Sequence, residues 1–244
     1  MYTENPKTKG SGILCAIPQK GTCPNNCKDC FFQSGRSYLE PLDENLPNLP
    51  PDDLSWERVI RINDGNDSLN DINTVVESTI NYKHKFYNTA RKGIEKLPGP
   101  VVLTINPGPF TDVGFHKLEV IPDNLMFVRF RANMWNIDIL DDAVKWYSER
   151  DRPIVLTFMA YHDIQDIPSE YRLHYIYRQR TSNPYYAITS QAWRSVMDKY
   201  WQNKWVYSCG RLEGEMGDTH CRFCGNCIRE YFVTMERMHP FSEK

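Results

Sequence analysis

The sequence contains the run Cys23-Pro24-Asn25-Asn26-Cys27-Lys28-Asp29-Cys30, shortly after the apolar segment Ile13-Leu14-Cys15-Ala16-Ile17. A short apolar run of this kind is typical of a buried strand. The three cysteines of the later run are spaced by three and then two residues, and no fourth cysteine lies near enough to complete the set locally. The pattern therefore predicts a strand followed by a loop with an open set of three thiols.

Three thiols in one loop are suited to bind a metal centre that keeps one coordination position free for another ligand. A 4Fe-4S cluster has four irons to be ligated, so three thiolates leave one iron able to bind another molecule. Open coordination positions mark reactive sites, by analogy with zinc. Two alternatives stay open, a zinc site with a distant fourth ligand and a disulfide pair with a spare thiol. A disulfide framework requires an oxidising compartment, for which the sequence gives no argument.

The loop resembles that of the radical S-adenosylmethionine (radical SAM) enzymes, in which a C-x3-C-x2-C loop follows the first strand of a partial barrel. The resemblance implies that Cys23, Cys27 and Cys30 hold a catalytic 4Fe-4S cluster whose unique iron chelates SAM. It further implies an electron donor such as flavodoxin or ferredoxin. In this family the electron cleaves SAM to a 5'-deoxyadenosyl radical, which abstracts hydrogen from the substrate.

Composition narrows the class of protein. A chain of 244 residues with 41% hydrophobic residues is long enough for one main domain. The net charge of -2 gives no general attraction to nucleic acid or to an anionic membrane. The segment Met1–Gly10 is polar, unlike a signal peptide, and no apolar stretch approaches the length of a membrane span. We therefore expect a soluble, cytoplasmic protein without a membrane partner, whose eight cysteines bind metal.

Apolar runs alternate with helical patterns along the chain, which indicates an α/β fold with a parallel sheet. We expect a partial (β/α)6 TIM-like barrel over residues 1–208 and a small cysteine-rich extension over 209–244. The predicted strands are Ile13–Ile17, Glu57–Ile62, Val101–Ile105, Leu125–Phe130, Ile154–Met159 and Trp205–Ser208. The predicted helices are Leu69–Tyr87, Ile137–Glu149, Gln191–Trp201 with Ser190 as N-cap, and Ile228–Met238, and Tyr38–Leu54 is predicted as a loop.

Polar residues follow several of these strands, where ligands bind in parallel α/β folds. The turn after the second strand is Asn63-Asp64-Gly65-Asn66-Asp67. The resemblance implies that it replaces a Gly-Gly-Glu motif that accepts from the SAM ammonium group, with Asn66 in place of the usual acid. It also implies contacts with SAM or substrate from Asn106 after the third strand, and from Arg129 and Arg131, which project to one face of the fourth strand. Phe31, next to Cys30, is a weaker candidate for contact with adenine.

A second cysteine set lies near the C-terminus and comprises Cys209, Cys221, Cys224 and Cys227. Four ligands make a closed site, and a C-x2-C-x2-C triplet with one remote cysteine resembles ferredoxin-type 4Fe-4S ligation. Zinc is the alternative, although zinc ribbons more often pair two separate knuckles. Because Cys209 ends the last predicted strand, we expect this auxiliary cluster beside the barrel mouth, as an electron-transfer partner or as a structural staple.

The function expected from these features is that of a radical SAM enzyme with two iron-sulfur clusters, acting on an unknown peptide or small molecule. Catalytic residues beyond the cluster ligands are not readable. The segment Tyr171–Arg180 interleaves aromatic and basic residues, which leaves a nucleotide or nucleic acid substrate as an alternative. Two non-enzymatic alternatives are an electron carrier with two clusters and a zinc-binding interaction module.

Overall fold

Short buried apolar runs form the main sheet of the computed structural model, which describes residues 1–27, 30–33, 35, 37–106, 115, 117–179, 184–213 and 218–240. The strands are β1 (Ile13–Ala16), β2 (Val59–Ile62), β3 (Lys85–Thr89), β4 (Val101–Ile105), β5 (Leu125–Ala132), β6 (Ile154–Phe158), β7 (Tyr175–Arg178), β8 (Tyr185–Ile188), β9 (Val206–Ser208), β10 (Arg211–Glu213) and β11 (Asp218–His220).

The helices are mostly short. The α-helices are α1 (Leu42–Asn45), α2 (Asp52–Ser55), α3 (Ile72–Ser78), α4 (Ile137–Ser148), α5 (Ser190–Lys199), α6 (Cys221–Cys224) and α7 (Asn226–Met238). Single turns of 3-10 helix cover Ile94–Lys96 and Ile164–Asp166, and two turns cover Ser169–His174.

Seven strands form one sheet in the order β1-β2-β3-β4-β5-β6-β9. Neighbouring strands pair in parallel: Cys15 of β1 lies opposite Arg61 of β2, Tyr87 of β3 opposite Val101 of β4, and Val128 of β5 opposite Ile154 of β6. The middle of β5 is fully buried at Met126, Phe127 and Val128, as expected for a parallel strand covered on both faces. The observed fold is thus mixed α/β with a parallel sheet, which is consistent with a partial α/β barrel.

The sheet has one strand more than predicted, because the expected helix Leu69–Tyr87 is wrong over most of its length. Only Ile72–Ser78 is helical, and Lys85–Thr89 forms β3 between β2 and β4. The aromatic and β-branched residues Phe86, Tyr87 and Thr89 favour a strand, and all three are buried. Pairing on both sides therefore overrides a helical pattern that continued from the preceding segment.

The other predicted elements lie close to the observed ones, with shifted ends. Helix α5 begins at Ser190, and its N-cap is Thr189, whose side chain accepts a hydrogen bond from the Ala192 amide. Ser190 was predicted to fill that role. The predicted loop Tyr38–Leu54 contains the short helices α1 and α2, and two antiparallel hairpins, β7 with β8 and β10 with β11, were not predicted.

The chain divides into two compact units that do not follow a boundary at residue 208. The first unit comprises Met1–Thr104, Leu118–Phe127 and Gly225–Lys244, and the second comprises Ile105–Lys117 and Val128–Cys224. The predicted extension 209–244 is therefore shared between the two. Across the described ranges, every helix is too short or too polar to cross a membrane.

Candidate metal and cofactor site

The first cysteine loop begins after the carboxyl end of β1, within the first unit. Cys23 is buried at 8% exposure, whereas Cys27 and Cys30 are partly exposed. The Cys30 amide donates to the Cys27 carbonyl at 3.2 Å, and the Gln33 side chain donates to the Cys23 carbonyl at 2.7 Å. Backbone and side-chain hydrogen bonds thus order both ends of the segment that contains the three thiols.

Asp67 ties this loop to the two neighbouring strand ends. Its Oδ2 accepts from the Asn25 side chain at 2.8 Å and from the Ala90 amide at 2.7 Å. Its Oδ1 accepts from the Thr89 hydroxyl at 2.7 Å and from the Leu69 amide at 2.9 Å. Donors from the cysteine loop, the turn after β2 and the end of β3 therefore converge on one buried carboxylate, which the protein itself already satisfies.

A side-chain amide lies directly against the Cys23 sulfur. Asn70 Nδ2 stands 3.3 Å from Sγ, and Arg91 donates to Asn70 Oδ1 at 3.0 Å. Burial raises the pKa of the Cys23 thiol, the Asn25 backbone amide lowers it, and the charges of Asp67, Cys27 and Cys30 raise it further. Burial, the largest of these effects, therefore favours the neutral thiol at Cys23 in the metal-free protein.

The backbone of the turn Asn63–Asp67 adopts a conformation that favours asparagine at two positions and glycine at a third. Asn63 and Asn66 have left-handed backbones, with φ of 59° and 38°, which asparagine tolerates better than most residues. The Asn66 side chain accepts from the Asp67 amide at 2.8 Å. At Gly65 an added Cβ would lie 2.2 Å from the Phe32 ring, so only glycine allows that ring to pack on the turn. The cysteine loop and the turn are thereby pressed together through Phe32.

Asp64 projects into a buried polar cluster formed by the first unit. Its side chain is 2% exposed, and its Oδ2 accepts from the Asn5 side chain at 2.7 Å and lies 3.6 Å from the Arg61 guanidinium. Oδ1 is buried, and among the described residues no donor reaches it. Burial raises the pKa values of Cys15 and Tyr38, and the Asp64 charge raises both further, so these neighbours stay neutral. The described residues thus leave one oxygen of this buried carboxylate without a hydrogen bond.

Three other candidate residues belong to the second unit. Asn106 follows β4, and its Oδ1 is buried without a hydrogen-bond partner in the described part of the chain. Arg129 and Arg131 occupy alternate, partly exposed positions of β5, opposite Val155 and Thr157 of β6. Phe31, in the first unit, is 42% exposed and has the Lys7 ammonium 4.7 Å from its ring centre.

The C-terminal cysteines lie on elements of both units. Cys209 directly follows β9, and its amide donates to the Leu156 carbonyl at 2.7 Å, as expected for the carboxyl end of a strand. Cys221 and Cys224 bound α6, while Cys227 is the second residue of α7. The division into units places the first three in the second unit and Cys227 in the first.

Helix α7 lies along the amino-terminal edge of the strands in the first unit. A Cβ at Gly12, before β1, would lie 3.0 Å from Ile228, and His84, before β3, contacts Tyr231 at 3.3 Å. Arg237 donates to the Asp123 carbonyl at 2.9 Å, next to the start of β5. Cys227 therefore starts a helix at the edge opposite to the one where the first cysteine loop begins, which differs from its expected place beside the mouth.

The side chains that could bind a metal ion are not arranged as a complete metal site in the part of the chain that the structure describes. Among the described residues, no group of three or more histidine, cysteine, aspartate or glutamate side chains is positioned to hold a metal ion. The donor chemistry of the first loop still suits an iron-sulfur cluster, because the loop supplies three thiols and the Cys23 sulfur receives an N–H from Asn70.

Several residues around the loop were not predicted. Asn25, Asn70, Asn5 and Phe32 each contact a predicted residue, yet none has a spacing that marks it in the sequence. The only signal was the density of asparagine around the cysteine loop and the turn, which indicates side-chain hydrogen bonding to the backbone and to neighbours.

Comparison with known proteins gives no further assignment, since the chain matches no family model, no curated protein and no solved structure.

Proposed function

We propose that this chain is a radical SAM enzyme that holds a 4Fe-4S cluster with Cys23, Cys27 and Cys30 and modifies a peptide or another small molecule. The observation that supports this function best is the joining of the three-thiol loop, at the carboxyl end of β1, to the turn after β2 through Asp67. Thiolates are the ligands of such clusters, and the carboxyl ends of parallel strands are where α/β folds bind ligands. An electron donor such as a flavodoxin or ferredoxin belongs to this proposal.

The chemistry supplied at the loop would be one-electron reduction of SAM, which yields a 5'-deoxyadenosyl radical. The chain's own residues would bind and orient SAM. The free Oδ1 of Asp64 would accept from the SAM ammonium group, as a buried carboxylate does for a cation. A guanidinium grips a carboxylate with two parallel hydrogen bonds, so Arg129 or Arg131 would suit the carboxylate of SAM.

A second 4Fe-4S cluster at Cys209, Cys221, Cys224 and Cys227 is a separate part of the proposal. It rests on the spacing of these cysteines, and zinc is its direct competitor. An electron carrier with two clusters would not need polar motifs at the strand ends, such as the turn Asn63–Asp67, and the presence of that turn favours an enzyme.

The test is anaerobic reconstitution followed by incubation with SAM and dithionite. Wild-type protein is expected to bind about eight irons and to form 5'-deoxyadenosine, since each cluster contains about four irons. Alanine at Cys23, Cys27 and Cys30 together should halve the iron and abolish 5'-deoxyadenosine, while alanine at all four C-terminal cysteines should halve the iron only. Absence of iron uptake by wild type would refute the function. Stoichiometric zinc with four irons would refute the second cluster alone.

A further inference from the structure

The Asn70 side chain approaches Cys23 from outside the cysteine loop. Asn70 follows the turn after β2, and its backbone amide donates to the Asp67 carbonyl at 3.2 Å. Its Nδ2 lies 3.3 Å from the Cys23 sulfur, within the range of an N–H to sulfur hydrogen bond. The residue is therefore held by the same turn that fixes the loop, and its amide points at a proposed cluster ligand.

The orientation of this amide is set by a second residue. Arg91 donates through Nη1 to Asn70 Oδ1 at 3.0 Å, and its backbone amide donates to the Thr89 hydroxyl at 3.0 Å. If the amide were flipped, its oxygen would face the sulfur and its NH2 group would face the guanidinium. The contact of the NH2 group with the guanidinium would be repulsive, and so would the contact of the oxygen with a Cys23 thiolate. Arg91 therefore keeps the N–H groups of Asn70 directed at Cys23.

We propose that Asn70 is a positioning residue for the first metal centre, which donates an N–H to the Cys23 thiolate and raises the reduction potential there, with Arg91 fixing its amide. This inference rests on the proposed function, because it requires a cluster at Cys23. A hydrogen bond to a ligating sulfur withdraws negative charge from it, and such bonds are among the features that set cluster potentials. The neighbouring Asp67 charge and the burial of Cys23 oppose reduction, so a donor at this sulfur offsets them.

The experiment is a redox titration of reconstituted protein, monitored by EPR. The signal to be monitored is the one that is missing in the variant with alanine at Cys23, Cys27 and Cys30. Asn70→Ala is expected to lower the potential of that signal, and Asn70→Asp to lower it further, because a carboxylate would then face the sulfur. Asn81→Asp introduces the same charge at an exposed asparagine and should leave the potential unchanged. Arg91→Ala, which leaves the Asn70 amide in place but unfixed, should give a smaller decrease than Asn70→Ala.

The outcomes separate this inference from the function on which it rests. Wild-type potentials in Asn70→Ala, Asn70→Asp and Arg91→Ala, with full iron and active SAM cleavage, would overturn the role of Asn70 and leave the function standing. Failure of wild type to bind iron would overturn both. If Asn70→Ala loses iron and its urea midpoint also falls, Arg91→Ala decides, since an unchanged potential in that variant would overturn the inference.

Discussion

Cys23, Cys27 and Cys30 lie in one loop of the first unit, whereas the C-terminal set is divided, with Cys227 in the first unit and the other three in the second. The described part of the loop is joined to the end of β3 through Asp67, which accepts from Asn25 of the loop and from Thr89 and Ala90. Cys227 instead starts a helix whose described contacts lie at the opposite strand edge. The comparison teaches that two sets of cysteines can be held in place by different kinds of structure, one by a network of hydrogen bonds and the other by the start of a helix. Variants at Asp67 and in α7 test whether that difference is real.

The largest effect on stability is expected from Asp67→Asn. Asp67 accepts four hydrogen bonds, two at each carboxylate oxygen. The substitution replaces one of these oxygens by an NH2 group, which cannot accept, so two of the four hydrogen bonds are lost. Each hydrogen bond to a charged group contributes about 1.5 to 3 kcal/mol, so two such bonds amount to about 3 to 6 kcal/mol. Urea denaturation of the metal-free protein should show this loss in the free energy of unfolding.

The matched control for Asp67 is Asp53→Asn in α2, where the carboxylate is exposed. A surface substitution of this kind should change the free energy of unfolding by less than about 0.5 kcal/mol. Equal stability of the two variants would show that the hydrogen bonds to Asp67 do not support the loop, and the contrast between the two cysteine sets would fail.

Asp64→Asn should affect ligand binding without affecting iron. The amide retains the shape of the side chain and an oxygen for Asn5, but it removes the negative charge beside the free position. Loss of a hydrogen bond to a charged group costs about 1.5 to 3 kcal/mol, which is roughly a tenfold to hundredfold weaker affinity for SAM. Equilibrium dialysis of reconstituted protein measures the affinity for SAM, and Asp53→Asn is the control. Unchanged affinity at equal iron content would remove the turn after β2 from the proposed SAM site.

Gly65→Ala tests the packing that presses the loop and the turn together. A methyl group 2.2 Å from the Phe32 ring must displace it, and overpacking of this kind costs about 1 to 3 kcal/mol. In the double variant Gly65→Ala, Phe32→Leu, the smaller side chain should relieve part of this cost, so that the two effects are not additive. Strict additivity in urea denaturation would show that Phe32 is not the residue that restricts position 65.

The sequence predicted most of the sheet because β4, β5 and β6 are continuous apolar runs. It failed at β3, where Tyr87 and its neighbours follow a helical pattern without a break and only pairing with β2 and β4 decides the conformation. The cysteine loop was recognisable from spacing, since Cys23, Cys27 and Cys30 are close in sequence, and its metal ligation stays a prediction. The roles of Asp67 and Asn70 were not, because each depends on segments far apart in sequence, such as Asn25 or Arg91, that folding brings together.

The smallest effect is expected on the opposite strand edge, from Tyr231→Phe in α7. The variant keeps the buried ring and removes only the hydroxyl that contacts His84 Nδ1 at 3.3 Å, which costs about 0.5 to 1.5 kcal/mol. Burial raises the pKa of Tyr231 above its ordinary value of 10.0, so the folded protein retains this proton longer than the unfolded chain as pH rises. Stability should therefore fall above pH 10, and the fall should be smaller in the Phe variant.

Iron content and SAM affinity should be unchanged in Tyr231→Phe. The contacts of α7 described above lie at residues that precede or open β1, β3 and β5, whereas the cysteine loop and Asp64 follow β1 and β2. His84→Ala is the companion variant, since it removes the same contact from the other side. A drop in SAM affinity in either variant, at equal iron and equal stability, would show that the two edges are coupled. The separate support inferred for the two cysteine sets would then be wrong.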